Sequence, residues 1–422
     1  MIPEHSKVAI AERLKHIKPS ATLAINEKSK ALQDKGKKIV RFGLGQSPFP
    51  VPAIVVQALK DNAHQKDYLN TKGLEPLRIA VADYHKRVNQ LEFSSENIQI
   101  GPGSKELIYD ILLALDATLL LASPSWVSYE PQGRLAGINF EWIPCSYEGQ
   151  WKLTAEAFEQ ACKNNPGQKV SILNYPNNPT GQSYTKEELE ALAGVARKYK
   201  VVIIADEIYG ALSFDSHHSI AEYYPEGTIV TAGLSKWCGA GGWRLGTAAF
   251  PDSLNDILNY MSIIASETYT SVSAPIQYAA ITAFRKADEL ELYLDKSNRI
   301  LKIVSSYCQQ KLSAAGLSVH PTMGGFYLFV SAEPKREMLE RRGIKDSTTL
   351  VEIMLEEIGV AVLPGSDFGR PAEEFTFRLA FVDFDGEQAL HLIDSNLEPE
   401  DFINRCCQDI KIGIEQLNNY FN

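Results

Sequence analysis

Short apolar runs of strand length alternate with helical stretches through the middle of this sequence, and this alternation limits the possible folds more than any other feature. Seven runs have the length and composition of buried strands: NIQI, TLLLA, NFEWI, VSILN, VVIIA, TIVTA and LGTAAF. Helical patterns lie between them, for instance TKEELEALAGVARKYK, which opens with a capping-box arrangement at Thr185 and Glu188. Strands that alternate with helices form mainly parallel sheets with helices on both faces. The sequence therefore predicts an α/β fold built on a mainly parallel seven-stranded sheet.

The pattern changes after about residue 290. There a long helical stretch leads into GLSVH, GGFYLFVSA, GVAVLPG and FTFRLAFV, which together predict a second, smaller α+β domain. A chain of 422 residues is long enough for two domains, and no Gly/Ser-rich or Pro-rich linker separates the halves. We therefore expect the second domain to pack tightly on the first.

Composition and charge narrow the choice of partner to small molecules. The net charge of -10 gives no electrostatic footprint for nucleic acid or an anionic membrane surface, and the longest apolar runs are too short to span a bilayer. The N-terminal segment has no apolar core of the secretory kind, so we expect a cytoplasmic protein. The six cysteines form no CxxC pair or Cys/His cluster, so no metal site is expected, and Cys238 is interpreted as a buried filler.

Polar and glycine-rich clusters directly follow five of the predicted strands. GPGS follows NIQI, SPSW follows TLLLA, YPNNPTG follows VSILN, DEIY follows VVIIA, and GLSK follows TIVTA. In open α/β sheets, ligands bind where the loops at the carboxyl ends of the strands converge. Clusters that share this position predict one site for one ligand.

Each cluster has a chemical and a purely structural interpretation. The glycines and Ser104 stand where a strand turns into a helix, which is either an anion site or a plain turn. Asp206 ends a buried strand and needs a partner, either a protonated ring nitrogen or an arginine. Lys236 is either a surface charge or an amine that reacts with an aldehyde, and Arg244 is either a solvated charge or a two-pronged phosphate ligand.

The same two interpretations remain open for other side chains. Trp126 either stacks on a flat heterocycle or packs in the protein, and Asn178 is either held at a fixed angle by the prolines of PNNPTG or part of an ordinary turn. Tyr209 is spaced to donate a hydrogen bond to a ring oxygen. In the strand FTFRLAF, Arg378 shares its face with two small residues, which leaves room for a carboxylate, although a solvent-facing arginine fits nearly as well.

A phosphate site, a stacking aromatic, an acid for a ring nitrogen, a phenol and a lysine are together what the binding of pyridoxal phosphate requires. The sequence resembles the class I/II aminotransferases of the fold type I pyridoxal-phosphate enzymes over nearly its whole length. The motifs YLNTKGLEPLR, GPGSKEL, YPNNPTG, ADEIY, GLSKWCGAGGWRLG, GGFYLF, GVAVLPGSDFG and FRLAF occur in the family's order. The resemblance implies a large cofactor-binding domain at residues 50–290 and a small domain made of residues 1–49 and 291–422.

The resemblance also implies roles for individual residues. Lys236 forms the aldimine with the cofactor and later moves the substrate's α-proton, and Asp206 pairs with the pyridinium nitrogen. The other implied contacts are Tyr209 and Asn178 with the ring oxygen, Trp126 with the ring face, Gly103, Ser104, the backbone of Lys105, Ser235 and Arg244 with the phosphate, and Arg378, Asn178 and the backbone of Gly45 with the substrate. Tyr68 matches a tyrosine that reaches the phosphate of the neighbouring subunit, which implies a homodimer with shared active sites.

The implied reaction is ping-pong transamination between an L-amino acid and a 2-oxo acid. A lyase or an enzyme of the aminocyclopropane-carboxylate-synthase type uses nearly the same residues, and a ligand-sensing regulator is a third interpretation. The sequence departs from the family at Gly233, where many relatives have a hydroxyl residue three positions before the lysine, so one phosphate hydrogen bond is absent or comes from Ser235. No second arginine can be assigned to the substrate side chain.

Overall fold

The computed structural model of the protein describes residues 21–422 together with residues 11, 14, 15 and 17. The first segment of the predicted small domain is residues 1–49, and most of its residues before residue 21 lie outside the described part of the chain. The helices are α1 (Ala21–Gln33), α2 (Ala53–Asn62), α3 (Glu75–Asn89), α4 (Ser104–Leu113), α5 (Tyr129–Ala136), α6 (Ala155–Asn164), α7 (Lys186–Tyr199), α8 (Asn255–Glu267), α9 (Ala274–Phe284), α10 (Asp288–Ala314), α11 (Arg336–Arg341), α12 (Ser347–Ile358), α13 (Gly386–Leu392), α14 (Pro399–Cys406) and α15 (Gln408–Phe421). The strands are β1 (Val40–Arg41), β2 (Ile98–Gly101), β3 (Thr118–Ser123), β4 (Asn139–Pro144), β5 (Lys169–Asn174), β6 (Val202–Asp206), β7 (Thr228–Gly233), β8 (Gly246–Ala249), β9 (Tyr327–Ser331), β10 (Val360–Ala361), β11 (Leu363–Pro364) and β12 (Thr376–Ala380).

Seven of these strands form one sheet in the order β2-β8-β7-β6-β5-β3-β4. The pairs from β4 through β3, β5 and β6 to β7 are parallel, whereas β8 is antiparallel to both β7 and β2. All seven strands predicted from the sequence are present. The predicted α/β fold with a mainly parallel seven-stranded sheet is therefore confirmed.

The centre of this sheet is covered on both faces. β5 and β6 are buried along their whole length, and successive side chains of a strand point to opposite faces. Leu173 and Ile203 pack in the apolar cluster that contains residues of α6 and α7, whereas Ile172 and Ile204 pack in the cluster that contains residues of α4 and α8. Because both faces are occupied by helices, polar chemistry is confined to the ends of these strands.

The helix starts follow local sequence signals. α7 begins after Thr185, whose hydroxyl accepts from Glu188 N while the Glu188 carboxylate accepts from Thr185 N, so the predicted capping box is confirmed. α4 begins directly after Gly103, which has a φ of +90°. This backbone conformation favours glycine, and it lets the chain turn from β2 into α4 within a few residues.

The C-terminal third forms smaller sheets. β11, β12 and β9 make an antiparallel sheet in that order, and β1 pairs with β10 in parallel. A single apolar cluster contains Val55 and Trp237 as well as Ile300 and Phe377, so the core continues between the two predicted domains. The domain boundaries themselves remain a prediction.

The segment GLSVH does not form a strand. Only an isolated bridge joins Ser318 to Ser331, with backbone N–H···O distances of 2.9 and 2.8 Å.

Among the described helices, none combines the length and the apolar character that crossing a bilayer requires. This includes α10, which is 27 residues long but carries charged side chains throughout.

Candidate active site

A cavity of about 510 Å³ lies at the carboxyl ends of β5, β6 and β7. Enzyme ligand pockets typically have volumes of ~300–1,000 Å³. All predicted site residues line this cavity except Gly103 and Tyr68; those that do are Gly45, Ser104, Lys105, Trp126, Asn178, Asp206, Tyr209, Ser235, Lys236, Arg244 and Arg378. The strand-end clusters therefore surround one space of suitable size for a small ligand.

One end of the cavity is cationic and is built on the start of α4. Arg244 donates from Nη1 to Gly241 O at 2.9 Å and from Nη2 to Pro102 O at 3.1 Å. Its guanidinium fills the space beside Gly103, where an added Cβ would lie 2.3 Å from Nη2. The first N–H groups of a helix have no intrahelical acceptor, and the positive end of its dipole points the same way. This end of the cavity suits a phosphate.

The departure at Gly233 has a steric cause. Gly233 pairs with Gly246 across β7 and β8, and a Cβ at Gly233 would lie 2.7 Å from a backbone oxygen. A Cβ at Gly246 would lie 2.3 Å from Ser104 N. These glycines let two strands and the start of α4 approach closely, so no hydroxyl side chain fits at Gly233. Ser235, which lines the cavity, is the nearby hydroxyl residue.

Asp206 ends β6 and is buried beside the cavity. Tyr129 Oη donates to Asp206 Oδ2 at 2.6 Å, and Ile208 N donates to Oδ1 at 3.3 Å. Burial raises the pKa of Asp206 to about 6, although these hydrogen bonds and the charge of Lys236 lower it. A cationic group placed beside this carboxylate would stabilise its charged form.

Lys236 follows β7 and reaches into the cavity. Its Nζ donates to Gly45 O at 2.8 Å and lies 5.5 Å from the ring centroid of Tyr209 and 5.7 Å from that of Phe326. The interpretation of Lys236 as a surface charge is therefore wrong. An amine held by one carbonyl and two aromatic faces has few strong partners to displace when a ligand enters.

Arg378 is 2% exposed, so the interpretation of a solvent-facing arginine is wrong. Nη1 donates to Asn178 Oδ1 at 3.0 Å and Nη2 donates to Gly43 O at 2.5 Å. Nε has no hydrogen-bond partner among the described residues. Burial lowers the pKa of the Arg378 guanidinium, while the neighbouring hydroxyls of Tyr327 and Tyr209 act in the opposite direction. A buried guanidinium with an open donor suits a carboxylate.

Trp126 both lines the cavity and packs on the protein, so its two interpretations are compatible. Its ring meets that of Tyr129 edge to face, with the centroids 5.2 Å apart. Lys105 Nζ lies 5.3 Å from the Trp126 ring. Burial and, secondarily, the charge of Arg244 lower the pKa of Lys105. A negative ligand group near Lys105 would stabilise its charged form and so raise its pKa again.

Two predicted residues do not line the cavity. Gly103 directly precedes Ser104 and supports Arg244, as described above. Tyr68 is 90% exposed and belongs to a loop before α3.

Sequence reasoning missed three residues that shape the site. Asn174 donates from Nδ2 to Asp206 O at 2.8 Å and accepts from Asn178 N at 2.8 Å. Tyr129 bonds Asp206, and Tyr327 lines the cavity. Asn174 could have been found from the sequence, because it is a polar residue at the last position of an apolar strand. The two tyrosines stand in apolar patterns and carry no comparable signal.

The cysteines have no visible part in the site. All six are free and buried, and burial raises the pKa of the Cys238 thiol to about 12, as expected for a filler. Among the described residues, no group of three or more His, Cys, Asp and Glu side chains is arranged to hold a metal ion.

Comparisons with known proteins agree with this geometry. The family described as aminotransferase class I and II matches residues 37–395. The aspartate aminotransferase of Bacillus sp. (strain YM-2) is 33% identical over 403 residues, which are 93% of this chain and 98% of that protein. The asparagine–oxo-acid transaminase of Streptococcus mutans is 30% identical over 86% of this chain and 92% of that protein. The solved structure of Thermus thermophilus aspartate aminotransferase with maleate superposes with a TM-score of 0.84 at 26% identity, covering 98% of this chain and 99% of that one.

The raised pKa of Asp206 makes a testable contribution to stability. The carboxyl titrates near 3.8 when unperturbed and near 6 in the folded protein, so folding favours its neutral form. Relative to Asp206→Asn, the cofactor-free wild type should be most stable below about pH 4 and should lose about 3 kcal/mol of this advantage as the pH rises through 6. Chemical denaturation of both proteins between pH 4 and 8 measures the difference. Asp110→Asn is the matched comparison. Burial raises the pKa of Asp110 to about 7, so the stability that this carboxyl contributes should be lost over a range that extends to higher pH. A difference that does not change with pH would contradict the prediction.

Proposed function

The chain belongs to the class I and II aminotransferase family and is an aminotransferase, and from that premise we propose that it moves an amino group from an L-amino acid to a 2-oxo acid in a ping-pong reaction with pyridoxal phosphate bound in the cavity. The observation that carries the proposal is the placement of Lys236 Nζ in the same cavity as the buried Asp206 carboxylate and the buried Arg378 guanidinium. Chains of this family use pyridoxal phosphate, and the residues present fit it.

The fit rests on three separate features of the cavity. The start of α4, Ser235 and Arg244 offer N–H, hydroxyl and guanidinium groups to a phosphate. Asp206 is a buried carboxylate whose raised pKa is relieved by a cation such as a protonated ring nitrogen. Trp126 offers an aromatic face in the same cavity.

When bound, pyridoxal phosphate supplies a carbonyl that captures the amino group and a cationic ring that accepts electron density from the α-carbon. The protein supplies the rest of the chemistry. Asp206 would keep the ring nitrogen protonated. The Asp206 carboxylate in turn accepts a hydrogen bond from Tyr129 Oη at 2.6 Å. Lys236 Nζ would be the base that takes the proton from Cα of the amino acid and delivers it to the cofactor carbon that keeps the amino group.

Arg378 binds the α-carboxylate in this proposal. It is buried at the side of the cavity and held by Asn178 and Gly43, so its direction is fixed before substrate binds. A fixed guanidinium orients the Cα–H bond of the substrate toward Lys236 without a further loss of side-chain entropy. Tyr209 and the amide of Asn178 are the proposed ligands of the ring oxygen.

We further propose an acidic amino acid as donor. The Bacillus and Thermus relatives carry aspartate in their names, and the Thermus structure includes the dicarboxylate maleate. In this chain Lys105 is a further cation that lines the cavity, in addition to the backbone role that the sequence predicts for it. Because burial and Arg244 lower its pKa, a second substrate carboxylate would stabilise its charged form.

The same proposal includes a homodimer with shared sites. Tyr68 is 90% exposed and does not line its own cavity. Tyr260 and Ile263 of α8 are also exposed, at 62% and 58%, and exposed apolar side chains grouped on one helix are typical of an interaction surface. A second copy of the chain would cover α8 and place its Tyr68 at the phosphate end of the first copy's cavity.

The activity is tested by loading the protein with pyridoxal phosphate and following its visible absorption while single amino acids are added. We expect conversion to the amine form of the cofactor, fastest with L-aspartate or L-glutamate and reversed by a 2-oxo acid. Lys236→Ala should lower the rate by at least about 10³-fold, because it removes the base that moves the proton. Unchanged turnover of this variant, or release of ammonia without an acceptor by the wild type, would refute the proposal.

Lys105→Met tests the acidic donor separately. It removes one charge-assisted contact of a partly buried carboxylate, so kcat/KM for L-aspartate should fall roughly 10- to 100-fold, whereas kcat/KM for L-alanine should change less than about 3-fold. Lys163→Met, on the exposed face of α6, is the matched control. An equal fall for both donors would mean that Lys105 does not bind the substrate side chain.

Shared sites are tested by mixing two defective variants. In a hybrid dimer of Lys236→Ala and Tyr68→Ala, one site receives its lysine from one subunit and its Tyr68 from the other. An equal mixture should therefore recover about a quarter of the wild-type rate after subunit exchange. The control pair, Lys236→Ala with Asp206→Asn, should recover nothing because both changes affect residues of the same subunit's cavity. No recovery in the first mixture would contradict the shared-site proposal.

A further inference from the structure

We infer that Tyr327 is a positioning residue that fixes both the hydroxyl of Tyr209 and the guanidinium of Arg378. One side chain of the small C-terminal sheet thereby sets the distance between the group that contacts the ring oxygen and the group that contacts the substrate carboxylate. This inference rests on the proposed function. It concerns the GGFYLF motif, whose tyrosine has no role in the reaction described above.

The hydroxyl of Tyr327 is paired with that of Tyr209. Their oxygens lie 2.8 Å apart, and both side chains are buried, at 1% and 2% exposure. Burial and, next, the neighbouring Tyr327 raise the pKa of Tyr209 far above its ordinary value. The Tyr209 hydroxyl therefore stays protonated, and Tyr327 limits the directions in which it donates.

The ring of Tyr327 covers the guanidinium of Arg378. The Arg378 Cζ lies 4.6 Å from the ring centroid of Tyr327 and 5.1 Å from that of Phe368. This contact follows from the sheet: Arg378 pairs with Phe329 and Ala380 with Tyr327 across β12 and β9, so Tyr327 is the diagonal neighbour of Arg378 on the same face. A cation held against a desolvated aromatic face is attracted to it and loses rotational freedom.

The backbone at Gly45 confirms how tightly the Tyr327 hydroxyl is placed. A Cβ added at Gly45 would lie 1.8 Å from Tyr327 Oη. Gly45 O is also the acceptor of Lys236 Nζ at 2.8 Å. Tyr327 therefore contacts the segment that holds the lysine as well as the two residues that it positions.

Two substitutions separate the hydroxyl from the ring. Tyr327→Phe keeps the aromatic face and removes the partner of Tyr209, so the dissociation constant of pyridoxal phosphate for the cofactor-free protein should rise roughly 3- to 10-fold, while KM for the amino donor stays within about 2-fold. Tyr327→Met, which places an unbranched apolar side chain there, also removes the ring from Arg378 and should raise KM for the donor roughly 3- to 30-fold. Fluorescence titration measures the first constant and steady-state kinetics the second.

Tyr293→Phe is the matched control, because it removes a tyrosine hydroxyl that bonds a backbone oxygen outside the cavity, Pro50 O at 3.0 Å. It should change neither constant, although all three variants are expected to lower thermal stability slightly. Cofactor affinity of Tyr327→Phe equal to wild type would overturn the inference, as would a KM that rises equally in the Phe and Met variants. If the Met variant fails to fold, the Phe variant decides by itself. An inactive wild type would refute the proposed function, whereas the cofactor titration would still test the hydroxyl.

Discussion

The centre of the seven-stranded sheet is buried on both faces, and this burial determines where β5, β6 and β7 can carry functional groups. β5 and β6 have no exposed residue, so their interiors can only be apolar or internally satisfied. Asn174 and Asp206 are the last residues of these strands, and the side-chain amide of Asn174 donates to the backbone oxygen of Asp206. The chemistry lies at the strand ends because that is the one part of a doubly covered sheet where polar groups can face a ligand.

Asp206 and Arg378 are two buried ionisable groups that line the cavity from different sheets. Burial raises the pKa of Asp206 and lowers that of Arg378, which means that it disfavours the charged form of both groups. Hydrogen bonds partly compensate both groups, since Tyr129 donates to the Asp206 carboxylate and Arg378 donates to the amide oxygen of Asn178. A ligand that brings a cation to Asp206 and an anion to Arg378 would stabilise the charged form of both groups. The contacts that provide binding energy would then also orient the ligand.

Sequence reasoning predicted the strands, the sheet and the convergence of the clusters because these depend on patterns along the chain. Tyr129 and Tyr327 were missed since their importance depends on contacts with residues 77 and 118 positions away in sequence. Gly233 was recognised as a departure, but its cause needed the register of β7 and β8, where a side chain would meet backbone.

Close backbone approach connects the two ends of the cavity. At the phosphate end, Gly246 lies against the start of α4, and at the carboxylate end Gly45 lies against the hydroxyl of Tyr327. Neither contact leaves room for a Cβ, since the first partner is main chain and the second is a buried tyrosine hydroxyl. In the function proposed here, cofactor and substrate together would have to match the distance between the start of α4 and Arg378. This is a geometric form of selectivity, and it acts before any contact with the substrate side chain is made.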